Sequence, residues 1–387
     1  MSLAGPAAGV RSSVSADGVV GVMVVDDSAV IRGLVKRWLQ EDPGIEVVAS
    51  ANDGEMALKE LDKCAPDVVV LDIEMPKMDG MAALPEILKK APRTKVVMSS
   101  TLTARNADIS LRALALGASD YIAKPRASGE LHAADGFRRE LVDKVRALGA
   151  SGRGRPGGPI RPVAKADNGD IVSPRPAGGP YGSAPIVLRK PAILAPKVVA
   201  IGSSTGGPQA LFKLFEDLDG KVRQPIVITQ HMPATFTTIL AQHLDRMDGV
   251  SCQEATDGMP LAEGQVYLAP GDYHMLVEPA AGGHVLRLNQ AAPENFCRPA
   301  VDPLFRSLAA AFGDRVLAVV LTGMGHDGLQ GGQHLVEHGA TVIAQDEASS
   351  VVWGMPGAVA TGGLCSAVLP IGELGQAVSR LAMGGRL

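Results

Sequence analysis

The sequence predicts two α/β halves, each built on a largely parallel sheet and joined by a linker. Three observations carry this. Short continuous apolar runs recur at Val22–Val25, Val68–Leu71 and Val96–Met98, and again at Val198–Ile201, Pro225–Thr229 and Val316–Leu321. Unbroken apolar character, rather than alternation, suits strands covered on both faces. Helical spacing intervenes, with Val30, Leu34 and Trp38 after the first run and Leu211, Leu214 and Phe215 after the fourth. Strand and helix alternating in this way imply right-handed βαβ units and doubly wound sheets. From Ser151 to Pro196 the composition shifts to Gly, Pro, Ser and Arg, a mixture that cannot bury a core. The expected organisation is a flexible tail at 1–19, a first domain at 20–140, a helix end and flexible linker at 141–196, and a second domain at 197–387. Turn-rich alternation around Gly264–Pro270 suggests a hairpin within residues 250–290.

Composition limits the classes of function. The 387 residues are 46% hydrophobic and 20% charged, with a formal net charge of -4, so the chain lacks the basic excess of a nucleic-acid binder. Cys64, Cys252, Cys297 and Cys365 form no C-x-x-C pair, which speaks against zinc or thioredoxin-type chemistry and for reduced thiols. The first eighteen residues lack a basic start and an apolar stretch, and no run is long enough to insert into a bilayer. The expected location is cytoplasmic.

In the first half, side chains with phosphoryl chemistry fall at strand ends. Asp26 and Asp27 follow the first run, Asp72 the second, Ser100 the third, and Lys124 follows Tyr121-Ile122-Ala123. Open α/β sheets bind ligands beyond the carboxyl ends of their strands. Three grouped carboxylates repel one another unless a hard cation such as Mg2+ joins them. Such a site suits phosphoryl transfer to Asp72, with Ser100 and Lys124 on the phosphoryl oxygens. The stretches Val24–Arg32, Leu71–Gly80 and Asp120–Pro125 closely resemble the receiver domain of two-component response regulators. That resemblance implies a flavodoxin-like fold and Asp72 as phosphoacceptor. It also implies Mg2+ held by Asp27, Asp72 and the backbone carbonyl of Glu74 with Asp26 assisting, and Ser100 and Tyr121 as residues that rearrange on phosphorylation.

In the second half, Gly202-Ser-Ser-Thr-Gly-Gly207 directly follows an apolar run. Glycines on both sides of Ser204 permit a tight strand-to-helix turn that exposes a hydroxyl. Ser204 stands where a dinucleotide fingerprint needs glycine, and Pro208 where a P-loop needs lysine. Serine requires a base, and His231 follows the strand Pro225–Thr229 at the same sheet edge. His274 and His326, also in loops, remain alternatives. Asp327, within Leu321–Gly328, lies beyond another strand and suits the carboxylate that fixes an imidazole. Glycines around Met324 free its N–H for an oxyanion.

The order Ser, His, Asp differs from the Ser, Asp, His of α/β-hydrolases. The stretches Ile201–Pro208, Ile228–Pro233, Ala269–Met275, Arg298–Asp302, Leu321–Gly328 and Ala344–Ser349 resemble the protein-glutamate methylesterases of bacterial chemotaxis, which carry a receiver, a linker and a C-terminal methylesterase domain. The resemblance implies Ser204 as nucleophile, His231 as general base and Asp327 as its partner. Thr205 and Met324 become oxyanion residues and Arg298 a substrate contact. It further implies phosphorylation-activated hydrolysis of glutamate methyl esters on chemoreceptors, deamidation of receptor glutamines, a histidine kinase as phosphodonor, and no cofactor for ester hydrolysis. The rival readings are a transcriptional regulator, which would need a basic helix-turn-helix, and a catalytically silent docking adaptor.

Overall fold

The computed structural model describes residues 18–101, 103–124, 131–152, 172–173, 186–218 and 220–386. The expected tail up to residue 17 and the Gly/Pro-rich stretches 153–171 and 174–185 lie outside them. The chain divides into two compact units, one within 1–99 and 127–153, the other within 100–126 and 154–387.

The first sheet and its helices run β1 (Val20–Val25), α1 (Ala29–Gln40), β2 (Ile45–Ala51), α2 (Gly54–Glu60), β3 (Val68–Asp72), α3 (Gly80–Lys90), β4 (Lys95–Thr101), α4 (Ala104–Ala115), β5 (Asp120–Lys124) and α5 (Leu131–Gly152). The strand order is β2-β1-β3-β4-β5, the flavodoxin-like order, whose ligand crevice lies where the order reverses between β1 and β3. Every residue of β3 is buried, as its apolar run requires. Side-chain oxygens of Ser28, Asp53, Asp79 and Thr103 cap the starts of α1 to α4 by accepting from backbone N–H groups, so each strand-to-helix loop ends on a defined turn. One expectation shifts, and one strand went unread. Helix α1 exists, but it buries Val35, Trp38 and Leu39, an i, i+3, i+4 stripe, and leaves Val30 78% exposed. Strand β2 has no uninterrupted apolar run: its edge position leaves Glu46 and Val48 exposed.

The second architecture runs β6 (Val172–Ser173), β7 (Ile186–Val187), β8 (Val198–Ser203), α6 (Gly207–Leu218), β9 (Ile226–Gln230), α7 (Ala234–Asp245), β10 (Cys252–Glu254), β11 (Val266–Leu268), β12 (His274–Ala280) and β13 (Gly283–Asn289). It continues through α8 (Val301–Phe312), β14 (Val316–Val320), α9 (Leu329–Glu337), β15 (Thr341–Gln345), α10 (Met355–Thr361), β16 (Ala367–Leu369) and α11 (Ile371–Ala382). Seven parallel strands lie in the order β10-β11-β9-β8-β14-β15-β16. Strands β8, β9, β14 and β15 are buried at every residue, which explains their unbroken apolar sequence. After β8 the chain builds outward through β9, then returns to place β14 on the other flank. The order therefore reverses at β8, where a crevice opens beyond the strand ends.

Two further expectations are corrected here. The segment around Gly264–Pro270 forms no hairpin: Val266–Leu268 is β11, paired in parallel on both sides. The hairpin is β12–β13, His274 paired with Asn289 and Ala280 with Gly283. The segment 186–196, given to the linker from its composition, lies on this unit. Ile186 belongs to its buried core, and the Arg189 and Ala192 N–H groups donate to the Cys365 carbonyl and the Thr341 hydroxyl.

Candidate active site

Ser204 follows β8, His231 follows β9 and Asp327 lies beyond β14, so the three occupy the same edge of three adjacent strands. Backbone bonds lace these ends together. The Ser204 N–H donates to Thr322 O (3.0 Å), the His231 N–H to Ser203 O (3.1 Å) and the Leu321 N–H to Gly202 O (2.9 Å). Ser204 is half-buried. The turn after it passes through Gly206 at φ +75, a left-handed conformation that glycine adopts without strain. On the other flank the approach is so close that a Cβ on Gly323 would stand 2.9 Å from the Ser204 Cβ.

His231 Nε2 and Asp327 Oδ2 are 2.7 Å apart, with the Asp327 side chain 1% exposed. The carboxylate accepts a hydrogen bond from Nε2–H, so Nδ1 is the basic nitrogen of the neutral ring. Burial alone opposes a charged imidazole. The Cys297 sulfur and the Asp327 carboxylate outweigh it and raise the His231 pKa above its ordinary 6.5. Asp327 moves the opposite way: burial works against its charge, but the His231 bond and the Val301 and Asp302 N–H groups hold it below 3.8.

Two backbone N–H groups near Ser204 have fixed directions. Gly323 O accepts from the N–H groups of Gly354 (3.0 Å) and Met355 (2.8 Å). In a planar trans peptide the Met324 N–H must point the opposite way. Ser204 O likewise accepts from Gly207 N–H (2.8 Å) and from the Gln230 side-chain amide Nε2 (2.9 Å), which fixes the Thr205 N–H. Thr205 is buried and Met324 half-buried.

Other expected residues have different surroundings. Arg298 donates twice to Asp272 Oδ1, through Nε at 3.1 Å and Nη2 at 2.5 Å, and through Nη1 to the carbonyls of Gln290 and Ala291. Two of these bonds thus tie Arg298 to Asp272 and two hold it to the start of the loop 290–298. His274 is 2% exposed; its Nε2 donates to Ala292 O and its Nδ1 accepts from the Ala300 N–H, so it pins the same loop and has no free nitrogen for Ser204. His326 is exposed.

Three residues escaped the sequence reading. Gln230 accepts from the Ser203 hydroxyl (2.6 Å) and donates to Ser204 O and His231 O, clamping the ends of β8 and β9. Asn295 and Asp302 bond Asp327 from behind. Gln230 neighbours His231 and Asp302 closes a stretch already singled out. Asn295 gave no signal.

In the first unit, ligand oxygens of Asp26, Asp27 and Asp72 lie within 4.8 Å of one another. Asp26 and Asp72 are buried, whereas Asp27 is exposed. Three clustered hard oxygens fit a divalent cation of the Mg2+ type. Asp72 Oδ1 accepts the Ile73 N–H (2.8 Å), and a Cβ on Gly80 would reach 2.1 Å from Asp72 O, so glycine lets α3 start against this strand end. Glu74 is exposed. Ser100 lies inside β4 rather than after it, 1% exposed, its hydroxyl 3.1 Å from that of Ser110. Tyr121 is buried and Lys124 half-buried on β5.

Together these features define a class: a receiver-type domain followed by an α/β unit with serine, histidine and aspartate at adjacent strand ends. The response regulator receiver domain family matches residues 22–134, and the CheB methylesterase family matches residues 199–378. The chain is 57% identical to "Protein-glutamate methylesterase/protein-glutamine glutaminase 1" of Rhodospirillum rubrum, over 94% of this chain and 96% of that protein. It is 55% identical to a protein-glutamate methylesterase/protein-glutamine glutaminase of Azospirillum brasilense, over 94% and 93%. Among solved structures, the Thermotoga maritima CheB methylesterase catalytic domain is 39% identical, covering 49% of this chain and all of that one, at a TM-score of 0.47. The chain belongs to the CheB methylesterase family, in the form that carries a receiver domain. No helix among the described residues is long and apolar enough to cross a membrane.

Proposed function

We propose that the chain removes methyl groups from glutamate methyl esters on chemoreceptors, and deamidates receptor glutamines, through a covalent intermediate on Ser204. The observation that carries this reading is the 2.7 Å His231–Asp327 pair following the strands on either side of the one that Ser204 follows. The neutral His231 ring takes the Ser204 proton as the oxygen attacks the ester carbonyl. The Thr205 and Met324 N–H groups receive the oxyanion. Collapse of the tetrahedral species breaks the ester C–O bond, and the imidazolium protonates departing methanol; an amide releases ammonia by the same route. His231 then deprotonates water, which attacks the acyl carbon and frees glutamate and Ser204. Asp327 stays ionised throughout, holding the ring and stabilising its charged form.

The receiver supplies control. A histidine kinase is the phosphodonor, Asp72 accepts the phosphoryl group, and Ser100 and Lys124 bind its oxygens. Asp26, Asp27 and Asp72, with the Glu74 carbonyl, would hold Mg2+, which supplies charge neutralisation for phosphoryl transfer. Phosphorylation adds about 1.5 to 2 negative charges, drawing Ser100 and Tyr121 into a new arrangement.

Methanol release from methylated receptor tests the esterase. Native protein releases methanol, whereas Ser204→Ala is slower by about a thousandfold or more, since loss of a nucleophile removes the covalent route. Equal release by both proteins would remove Ser204 from the reaction.

A further inference from the structure

A second buried carboxyl stands behind Asp327. Asp302, in the first turn of α8, and Asp327 are each 1% exposed. Two donors bridge them. The Gly328 N–H lies 3.0 Å from both Asp302 Oδ1 and Asp327 Oδ1, and Asn295 Nδ2 lies 2.9 Å from both Asp302 Oδ2 and Asp327 Oδ1. Two carboxylates close enough to share donors, and both out of water, repel strongly if both are charged.

The donors decide where the single charge rests. Asp327 accepts from five: His231 Nε2, Asn295 Nδ2 and the N–H groups of Val301, Asp302 and Gly328. Asp302 accepts from three: Asn295 Nδ2 and the N–H groups of Gly328 and Gly331. Hydrogen bonds to the charged form favour it, so Asp327 is the better anion. The groups facing the pair are His231 beyond β9, Cys297 and Glu294 in the loop before α8, and Arg306 on α8. Arg306 is tied to Glu294 through both its terminal nitrogens, at 2.9 and 2.6 Å, which largely offsets its charge locally. His231 neutralises only one carboxylate, and only when protonated.

We propose that Asp302 is a positioning residue that carries the pair's proton: it stays a neutral acid, donates to the Asp327 carboxylate and, with Asn295, fixes the anion that orients His231. The raised pKa of Asp302, caused first by burial and then by Asp327, agrees in direction. A neutral acid here leaves a single negative charge, on Asp327, facing His231 and gives that carboxylate a firm backing. This rests on His231 and Asp327 forming the base pair of the esterase.

Two measurements on the full-length protein test it. Infrared spectra of 13C-aspartate-labelled protein at neutral pH are expected to show a protonated-carboxyl stretch that is missing from Asp302→Asn. The native band, followed across neutral pH, needs no variant to fold, and its absence overturns the proposal. The pH dependence of methanol release is expected to keep the same ascending midpoint in Asp302→Asn, since asparagine mimics a neutral acid. Asp302→Ala should lose kcat by about a hundredfold through misplacement with KM little changed, and Asp302→Asn should recover most of that loss. A midpoint moved to lower pH in Asp302→Asn would mean that a charge was removed, and overturns the assignment. Should the protein release no methanol at all, the esterase reading fails, while the infrared band still locates the proton.

Discussion

At the scale of the residue, the site depends on how Asp327 sets the basicity of His231. A general base works when neutral, and His231 is held above its ordinary pKa of 6.5. Turnover should therefore rise with pH, with its midpoint displaced to the alkaline side of 6.5. Asp327→Asn removes the negative partner, so the midpoint should move to lower pH while kcat falls by about ten-thousandfold, the loss expected when a triad carboxylate is replaced. A pH–rate profile of methanol release for both proteins checks this; an unmoved midpoint would separate Asp327 from His231 in the working enzyme. The same pair contributes stability over a bounded window. His231's share is full below 6.5 and lost as pH rises through its raised value; Asp327's is full above 3.8 and lost as pH falls through its depressed one. Ser204, His231 and Asp327 were legible because each follows an apolar strand, and strand ends share an edge in a parallel sheet. The bonds of Arg298 to Asp272 and to two carbonyls of its own loop form a fold-back that no local pattern announces.

At the scale of the element, the ends of β8 and β9 act as one piece through Gln230. Its amide accepts from Ser203 Oγ and donates to the carbonyls of Ser204 and His231, so the nucleophile's turn and the base's strand share one side chain. Gln230→Ala leaves the buried Ser203 hydroxyl without this partner, at a cost of about 1–3 kcal/mol. It also loosens the spacing between Ser204 and His231. Thermal unfolding should show a lower Tm, and kcat should fall more than KM rises. A normal Tm with normal kcat would show that the backbone bonds between strand ends suffice. The sheet itself was readable wherever strands are covered on both faces, as at β3, β8, β9 and β14. Strand β2 lies at an edge, and its part-exposed sequence gives no continuous run. The β12–β13 hairpin was expected in the right region but at the wrong residues, because β11 is only three residues long and its neighbours β9 and β10 are decided by long-range pairing. Asn295 was invisible, and the role of Asp302 with it, for a related reason: they meet Asp327 only when the loop before α8 and the first turn of α8 fold onto the end of β14.

At the scale of the whole molecule, one chain joins a receiver domain to a methylesterase unit, and the proposed function requires a charge at Asp72 to alter the rate at Ser204. Any such effect is a coupling free energy between two conformational populations, typically about 1–3 kcal/mol, or about 5- to 150-fold. A small phosphodonor with Mg2+ should therefore raise methanol release by a factor in that range. Asp72→Asn should abolish the rise, because an amide neither attacks phosphorus nor keeps the acceptor's charge, yet it should retain native-like unphosphorylated activity, since Asp72 belongs to the first unit and takes no part in acyl chemistry. The His231–Asp327 pair is unaltered in that variant, so its pH midpoint should match the native one. Rate measurements on native protein and Asp72→Asn, each with and without phosphodonor, separate the two sites. A phosphodonor that accelerates both proteins equally would mean that activation bypasses Asp72. One that accelerates neither would mean that the receiver does not communicate with the esterase through phosphorylation, whatever the merits of Ser204 as a nucleophile.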